Sequence, residues 1–297
     1  MDIAAVNRLV LDWYSANSRD LPWRRAPYLG DAYAVLVSEV MLQQTQVERT
    51  VPKFIEFMAT FPTIDALAAA SAGDVIVLWS GMGYNNRAVR LQRLAGVVVA
   101  EHAGQIPRDV ETLLTLPGVG PYTAAAIACF AYDAHVPVLD TNIYRVLSRL
   151  VHGVEAPSRA DVDPLATRFL PDRDASLWHQ ALMDIGATIC GGSAPRCMLC
   201  PLREVCAAAP ALRAGVNRKQ AEASVPYAPK QATFAGSARY YRGRIVEALR
   251  QSSPEGLVIA NVDALFADAP AGGLSPIIDG LVRDGLAIRA GAALRLP

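Results

Sequence analysis

The sequence predicts an all-α core followed by a small α+β module at the carboxyl end. Apolar residues recur at helical spacing through the first 206 residues, as at Val6, Leu9, Val10, Trp13 and Tyr14. No strand alternation interrupts that pattern, and the composition changes after Cys206, where Ala, Pro and charged residues run on to about Gln231. The core helices are punctuated by Leu21-Pro22-Trp23, Phe61-Pro62-Thr63, Ile106-Pro107-Arg108 and Leu116-Pro117-Gly118, which gives roughly ten helices with short links. The division that follows is a core over 1–206, a linker over 207–231 and a module over 232–297. In the module, helices are expected near Tyr240 to Arg250, Val262 to Phe266 and Pro276 to Asp284, then a hairpin over Ala287 to Leu296. Helices followed by a hairpin describe a winged-helix-like unit.

At 297 residues and 52% hydrophobic content, the chain can bury a sizeable core. Its apolar runs, such as Ala124 to Tyr132, fall short of the roughly 20 residues a membrane span needs. No basic-then-apolar leader opens it, so a cytoplasmic, nucleoid-associated location and no membrane partner are expected. Formal net charge is zero, yet the stretch after the cysteines is basic: Arg213, Arg218, Lys219, Lys230, Arg239, Arg242, Arg244 and Arg250 stand against Glu222 and Glu247. A solvated linker and a phosphate-contacting segment both fit that run.

Cys190, Cys197, Cys200 and Cys206 fall as C-x6-C-x2-C-x5-C, with Cys129 apart. Four thiolates from one short loop suit a 4Fe-4S cluster or tetrahedral zinc, and ligand type alone does not choose between them. Disulfides are the alternative, disfavoured in an intracellular chain. A second motif is Thr115-Leu116-Pro117-Gly118-Val119-Gly120-Pro121-Tyr122-Thr123. Gly118 and Gly120 permit a tight turn at a helix start, where backbone N–H groups bind phosphate; a plain helix-helix turn explains the same residues. Asp140 follows about 20 residues later within Pro137-Val138-Leu139-Asp140-Thr141-Asn142.

Together with these motifs, Arg19-Asp20-Leu21-Pro22-Trp23-Arg24, Ser38-Glu39-Val40-Met41-Leu42-Gln43-Gln44-Thr45, Gly81-Met82-Gly83-Tyr84 and Gln180-Ala181-Leu182-Met183-Asp184-Ile185-Gly186 carry a resemblance. Over about the first 206 positions the chain resembles the helix-hairpin-helix base-excision DNA glycosylases with an iron-sulfur loop, and among them the MutY-type adenine DNA glycosylases. The resemblance implies a 4Fe-4S cluster on the four cysteines, a six-helix barrel over about 26–132 and a cluster domain formed by 1–25 and 133–206. It also implies a DNA cleft between them, and as partner a double-stranded DNA holding a mispaired adenine. A monomer is expected.

Releasing a purine from deoxyribose needs a proton on the departing base and stabilisation of an oxocarbenium-like sugar, work that two carboxyls can divide. Glu39 lies amid Val35, Leu36, Val37, Val40 and Leu42, an apolar setting that favours the protonated form and hence a general acid. By resemblance Glu39 protonates N7 of adenine, while Asp140 stays ionised near the anomeric carbon as stabiliser or transient nucleophile. A surface acid and a helix cap are the structural alternatives for the two. Asn142 either orients Asp140 or the sugar phosphate, or caps a helix. Lys53 is the only lysine of the core, and strand-cleaving relatives such as endonuclease III carry lysine where Tyr122 stands here, so a monofunctional enzyme is predicted.

The target base must leave the duplex before it reacts, and Tyr84 is the candidate wedge. By resemblance Gln44 and Thr45 contact the opposite-strand purine, Met82 assists Tyr84, and Trp23, Arg24, Leu42, Tyr122 and Gln180 line the adenine pocket. Core packing is the alternative for Trp23, Leu42 and Met82. Arg196 either meets a phosphate or is solvated. His102, His135, His152 and His179 show no ligand spacing and receive no role.

Three positions depart from the family pattern. Asn85-Asn86 follows Tyr84 where a second tyrosine is common, Thr141 stands where glycine is common, and a tail of about 65 residues is too short for the Nudix-like domain that typical members use to recognise 8-oxoguanine. The rival functions are a thymine or uracil mismatch glycosylase of the same fold, which Gln43-Gln44-Thr45 disfavours, and a non-catalytic iron-sulfur DNA-binding protein.

Overall fold

A computed structural model describes residues 1–155, 157–215, 233–266, 268–269 and 272–297. Among them, α1 (Ile3–Asn17), α2 (Ala32–Leu42), α3 (Val47–Thr60), α4 (Ile64–Ala69), α5 (Ala72–Leu78), α6 (Asn86–Glu101) and α7 (Val110–Thr115) come first. They are followed by α8 (Pro121–Tyr132), α9 (Thr141–His152), α10 (Arg159–Phe169), α11 (Ala175–Thr188) and α12 (Ala209–Arg213). The expected all-α core is what forms. Most of the linker, with Arg218, Lys219, Glu222 and Lys230, lies outside the described residues.

Packing divides the described chain into two compact units. The first holds residues 1–35, 108–110 and 120–215; the second holds 36–107, 111–119 and 233–297. The division differs from the segments expected from sequence: α8 packs with the first unit, and the carboxyl-terminal module belongs to the second.

In the first unit α1, α9 and α11 pack together around Val6, Val10, Ile143, Leu147, Leu150, Trp178, Leu182 and Ile185. Removal of this apolar surface from water is the main stabilising term. Asp2 caps α1 by accepting from the Ala5 N–H at 3.1 Å, and α11 runs close to α9 because residue 186 is glycine. A Cβ at Gly186 would meet the Asn142 Cβ at 2.5 Å. In the second unit α4 and α5 pack on α6, with Leu67, Ile76, Trp79, Leu91 and Leu94 fully buried.

The module consists of α13 (Ala238–Gln251), β1 (Leu257–Val258), α14 (Ser275–Arg283), β2 (Ile288–Ala290) and β3 (Ala293–Arg295). Its antiparallel sheet has the order β1-β3-β2, with Leu257 opposite Leu294 and Arg289 opposite Leu294 on the other edge. Helices plus a paired hairpin agree with the winged-helix-like expectation. The helix expected near Val262 to Phe266 is instead two short 3-10 turns, Ile259–Asn261 and Asp263–Leu265. The basic residues here are engaged within the protein. Arg244 pairs with Asp268 at 3.1 Å and stacks on Phe266, Arg239 lies over Phe234, and Arg242 pairs with Asp284.

Candidate functional site

The glycine turn that precedes α8 is built unequally. Gly118 has φ +81°, a left-handed conformation that disfavours other residues, and a Cβ there would lie 3.3 Å from the Arg90 side chain. Gly120 has φ −97° and open space around it, so its conformation does not require glycine. It forms the N-cap of α8 without a side-chain cap, Pro121 takes the first helical position, and Tyr122 packs half-buried against the first unit's core.

In the first unit Asp140 is the N-cap of α9, as the capping alternative foresaw. One carboxylate oxygen accepts from the Ile143 N–H at 2.7 Å and the other from Asn142 Nδ2 at 2.7 Å. Asp140 itself therefore supplies the cap, and Asn142 holds its second oxygen. Burial pushes the Asp140 carboxyl above the usual carboxylate range, opposed by the Ile143 and Asn142 hydrogen bonds and the nearby Arg145 charge. The chain of contacts continues: Arg145 Nη2 donates to Asn142 Oδ1 at 2.7 Å and to the Gly186 carbonyl at 2.7 Å, and its Nε donates to the Cys190 carbonyl at 2.6 Å. One turn further, Arg149 is 1% exposed and donates to Cys190 Sγ at 3.4 Å and to the Gly191 and Gly192 carbonyls.

Cys190, Cys197, Cys200 and Cys206 all line one cavity together with Arg149 and Arg203, and all four are free of disulfides. Burial raises the Cys197 thiol, opposed by the Arg149 charge, and pushes Cys200 to about 12 and Cys206 to about 11. Among the described residues, no three His, Cys, Asp or Glu side chains converge on a single ion. Four sulfurs around one shared cavity fit a group larger than one metal. Arg196 donates to the Thr188 carbonyl.

Around the expected base pocket the same unit places Trp23 buried in a 3-10 turn beside Arg24. Arg24 Nη1 reaches both oxygens of the fully buried Asp184 at 2.9 Å, and Arg19 Nε reaches it at 2.7 Å. Gln180 Oε1 accepts from the Tyr14 hydroxyl at 2.8 Å, and its Nε2 donates to Ser176. Burial raises the Tyr14 phenol, partly offset by Arg24. Buried His179 was assigned no role from sequence. Its Nε2 accepts from the Val138 N–H at 2.9 Å, two residues before Asp140, while Nδ1 faces the Ala175 carbonyl at 2.7 Å. Burial lowers its pKa to about 4, so the ring is neutral and can accept.

In the second unit Glu39 is 7% exposed on α2, in a stretch from Leu36 to Met41 that is buried throughout. Leu42 is half-buried, Gln44 is exposed with φ +56°, and Thr45 is half-buried. Met82 is 2% exposed and packs in the core, whereas Tyr84 is 45% exposed with φ +45°. Sequence reasoning missed the residue that joins these two segments, Arg87. Its Nη1 donates to the Val40, Met41 and Gln43 carbonyls at 2.7–2.9 Å, and Nη2 donates to Thr45 Oγ1, the Met82 carbonyl and the Gly83 carbonyl at 3.0–3.2 Å. The guanidinium also lies 5.3 Å from the Trp79 ring and 5.7 Å from the Tyr84 ring. Burial lowers its pKa to about 10, which leaves it charged at neutral pH. No residue-type pattern announces such a hub, because its acceptors are almost all backbone carbonyls.

A glycine turn, an aspartate that caps the helix after α8 and a four-cysteine loop packed on that helix make up the candidate site of a helical protein. Residues 37–171 match the HhH-GPD superfamily base excision DNA repair protein model. Over 279 residues the chain is 41% identical to an adenine DNA glycosylase of Mycolicibacterium smegmatis, covering 93% of this chain and 90% of that one. It is 42% identical over 251 residues to an adenine DNA glycosylase of Mycobacterium tuberculosis, covering 81% and 77%. A solved structure of a thermostable thymine-DNA glycosylase superposes with a TM-score of 0.64 at 27% identity, covering 70% of this chain and 97% of that one. The chain belongs to the adenine DNA glycosylase family within the HhH-GPD superfamily.

Proposed function

We propose that this protein hydrolyses the N-glycosidic bond of adenine mispaired with 8-oxoguanine or guanine in duplex DNA, as the first step of base excision repair. The observation that carries the reading is identity to adenine glycosylases along 93% of the chain. Glu39, held in an apolar helix, is the proton donor to N7 of the departing base. Asp140 faces the anomeric carbon as a carboxylate, and Asn142, Ile143 and Arg145 favour its charged form against burial. Tyr122 and Gln180, with Trp23, Arg24 and Leu42, border the base, and Gln44 and Thr45 face the opposite strand beside Met82 and Tyr84. Gly118 and Gly120 admit a phosphate at the start of α8.

Cys190, Cys197, Cys200 and Cys206 would hold a 4Fe-4S cluster, which when bound cross-links the cysteine loop without entering the hydrolysis. Arg145 and Arg149 tie that loop to the helix that mounts Asp140. Tyr122 stands where strand-cleaving relatives carry the lysine that forms a Schiff base, so the strand is left intact. The protein acts as a cytoplasmic, nucleoid-associated monomer; among the described residues no helix is long and apolar enough to cross a membrane.

The test is single-turnover base release by cluster-loaded protein on duplexes with adenine opposite 8-oxoguanine, guanine, cytosine or thymine, and with thymine or uracil opposite guanine. Adenine release favoured opposite 8-oxoguanine, with breaks only after alkali, is the expected result. Release of thymine or uracil instead would assign the protein to the mismatch branch, and release from none would favour a silent DNA-binding protein.

A further inference from the structure

The carboxyl-terminal module fastens to the second unit at the start of α6, next to the turn that presents Tyr84. Arg250 on α13 has a side chain only 9% exposed. Its Nη2 donates to Asn85 Oδ1 at 2.8 Å, its Nε donates to the Ile76 carbonyl at 2.9 Å, and its Nη1 pairs with Glu247 at 2.9 Å. Asn86 is held from the same side: Nδ2 donates to Asp284 at 3.1 Å, Oδ1 accepts from Arg242 at 3.3 Å, and Arg242 pairs with Asp284. The seat extends along α5 and α6. The Gly73 N–H donates to the Pro297 carbonyl at 2.8 Å, and an added Cβ at Gly285 would strike the Arg93 guanidinium.

Asn85 is the N-cap of α6, where an asparagine side chain ordinarily accepts from its own helix. Here it makes no cap bond, and its oxygen goes to Arg250, 165 positions away. The turn before it requires such fixing. Gly81, Gly83 and Tyr84 have φ of +81°, +67° and +45°. A left-handed non-glycine residue costs about 1–3 kcal/mol and persists only where its surroundings determine it. Arg87 and the Trp79 Nε1 bond to the Gly83 carbonyl, at 3.2 Å, determine the near side of the turn. The amide pair Asn85-Asn86 determines the far side.

We propose that Asn85 and Asn86, gripped by Arg250, Arg242 and Asp284, form a clamp through which the carboxyl-terminal module positions Tyr84 for extrusion of the mispaired base. The clamp occupies the place of the second aromatic residue expected from the family pattern, and gives the short tail a part in the reaction without contact to the base. The inference rests on the reading of Tyr84 as the wedge. Asn85 and Arg250 act through Tyr84 and are positioning residues.

Full-length N85A, R250K and N85A/R250K are compared with the parent protein by two readouts. Stopped-flow fluorescence of 2-aminopurine beside the target adenine follows extrusion. Single-turnover adenine release is measured from adenine opposite 8-oxoguanine, and from adenine opposite an abasic site, where no partner base has to be parted. Loss of one charge-assisted hydrogen bond predicts roughly tenfold slower extrusion and release on the paired duplex. Release opposite the abasic site stays unchanged, and the double variant is no worse than either single one. Equal losses on both duplexes, or no loss on either, overturn the clamp while the adenine reading stands. Should the parent protein release adenine from neither duplex, the adenine reading fails and the proposed part in extrusion falls with it. Thermal melting checks the fold, and if R250K unfolds, N85A decides.

Discussion

Asp140 stands at the start of α9 with hydrogen bonds to both carboxylate oxygens, whereas Glu39 stands in the middle of α2 on a stretch that is buried along its length. Both carboxyl oxygens of Asp140 accept 2.7 Å hydrogen bonds, and Arg145 stands behind Asn142. Glu39 sits among Val35, Leu36, Val40 and Met41, all at most 8% exposed. Donors directed at a carboxylate favour its charge, and apolar burial favours its proton. At Asp140 burial outweighs those donors, and the carboxyl lies above the usual carboxylate range. Each region is also held by an arginine: half-buried Arg145 ties Asn142 to the Gly186 and Cys190 carbonyls, and buried Arg87 gathers the carbonyls around the Tyr84 turn.

The comparison breaks most severely at Gly186. G186A drives a Cβ into Asn142 and displaces the mount of Asp140, and a shift of that order costs about 100-fold or more in adenine release. Single-turnover kinetics on a folded variant, verified by circular dichroism, checks it. In the second unit R87K cannot reach the six acceptors that Arg87 spans, and stability falls by about 3 kcal/mol, read from urea unfolding. Protease cleavage should then appear first near Gln43 or Gly83.

N142A sharpens the comparison, since it removes one of the bonds that oppose burial at Asp140. Release falls roughly tenfold, and the acid limb of its pH profile moves to higher pH because the carboxyl ionises later. An unmoved limb would show that Asn142 does not act on the charge. The smallest effect concerns His179, whose pKa is lowered to about 4 from 6.5. The unfolded chain binds the proton first, so this contribution is complete above about pH 6.5 and is lost as pH falls towards 4. H179N keeps an acceptor for Val138 without titrating, and should flatten the stability profile across that window in calorimetry.

Elements built on local periodicity were legible: the helix expected near Tyr240 to Arg250 is Ala238–Gln251, and the expected hairpin pairs β2 with β3. The two-residue strand Leu257–Val258 was not, because it exists only through pairing with a segment some 35 residues away. The apolar residues from Val262 to Phe266 read as one helix but are tertiary fillers, Val262 and Phe266 being buried at the ends of tight turns. At the site, Asp140 and the cysteines were marked by residue type and spacing. Arg87, Arg145, Arg149 and His179 were not, since an arginine on a helix reads as solvated and each bonds largely to backbone. The basic stretch read as either a solvated linker or a phosphate contact, and three of its residues, Arg242, Arg244 and Arg250, have partners within the protein that no local pattern announces.

The division of labour between Glu39 and Asp140 is tested most directly by single-turnover adenine release from duplex containing adenine opposite 8-oxoguanine, comparing the parent protein with E39Q and D140N at equal cluster content. Loss of the general acid predicts a fall of about 100-fold or more in E39Q. D140N should fall at least as far, with duplex binding retained in both. Release by E39Q at the parent rate would contradict the assignment of Glu39 as proton donor and, with it, the division of the reaction between two carboxyls.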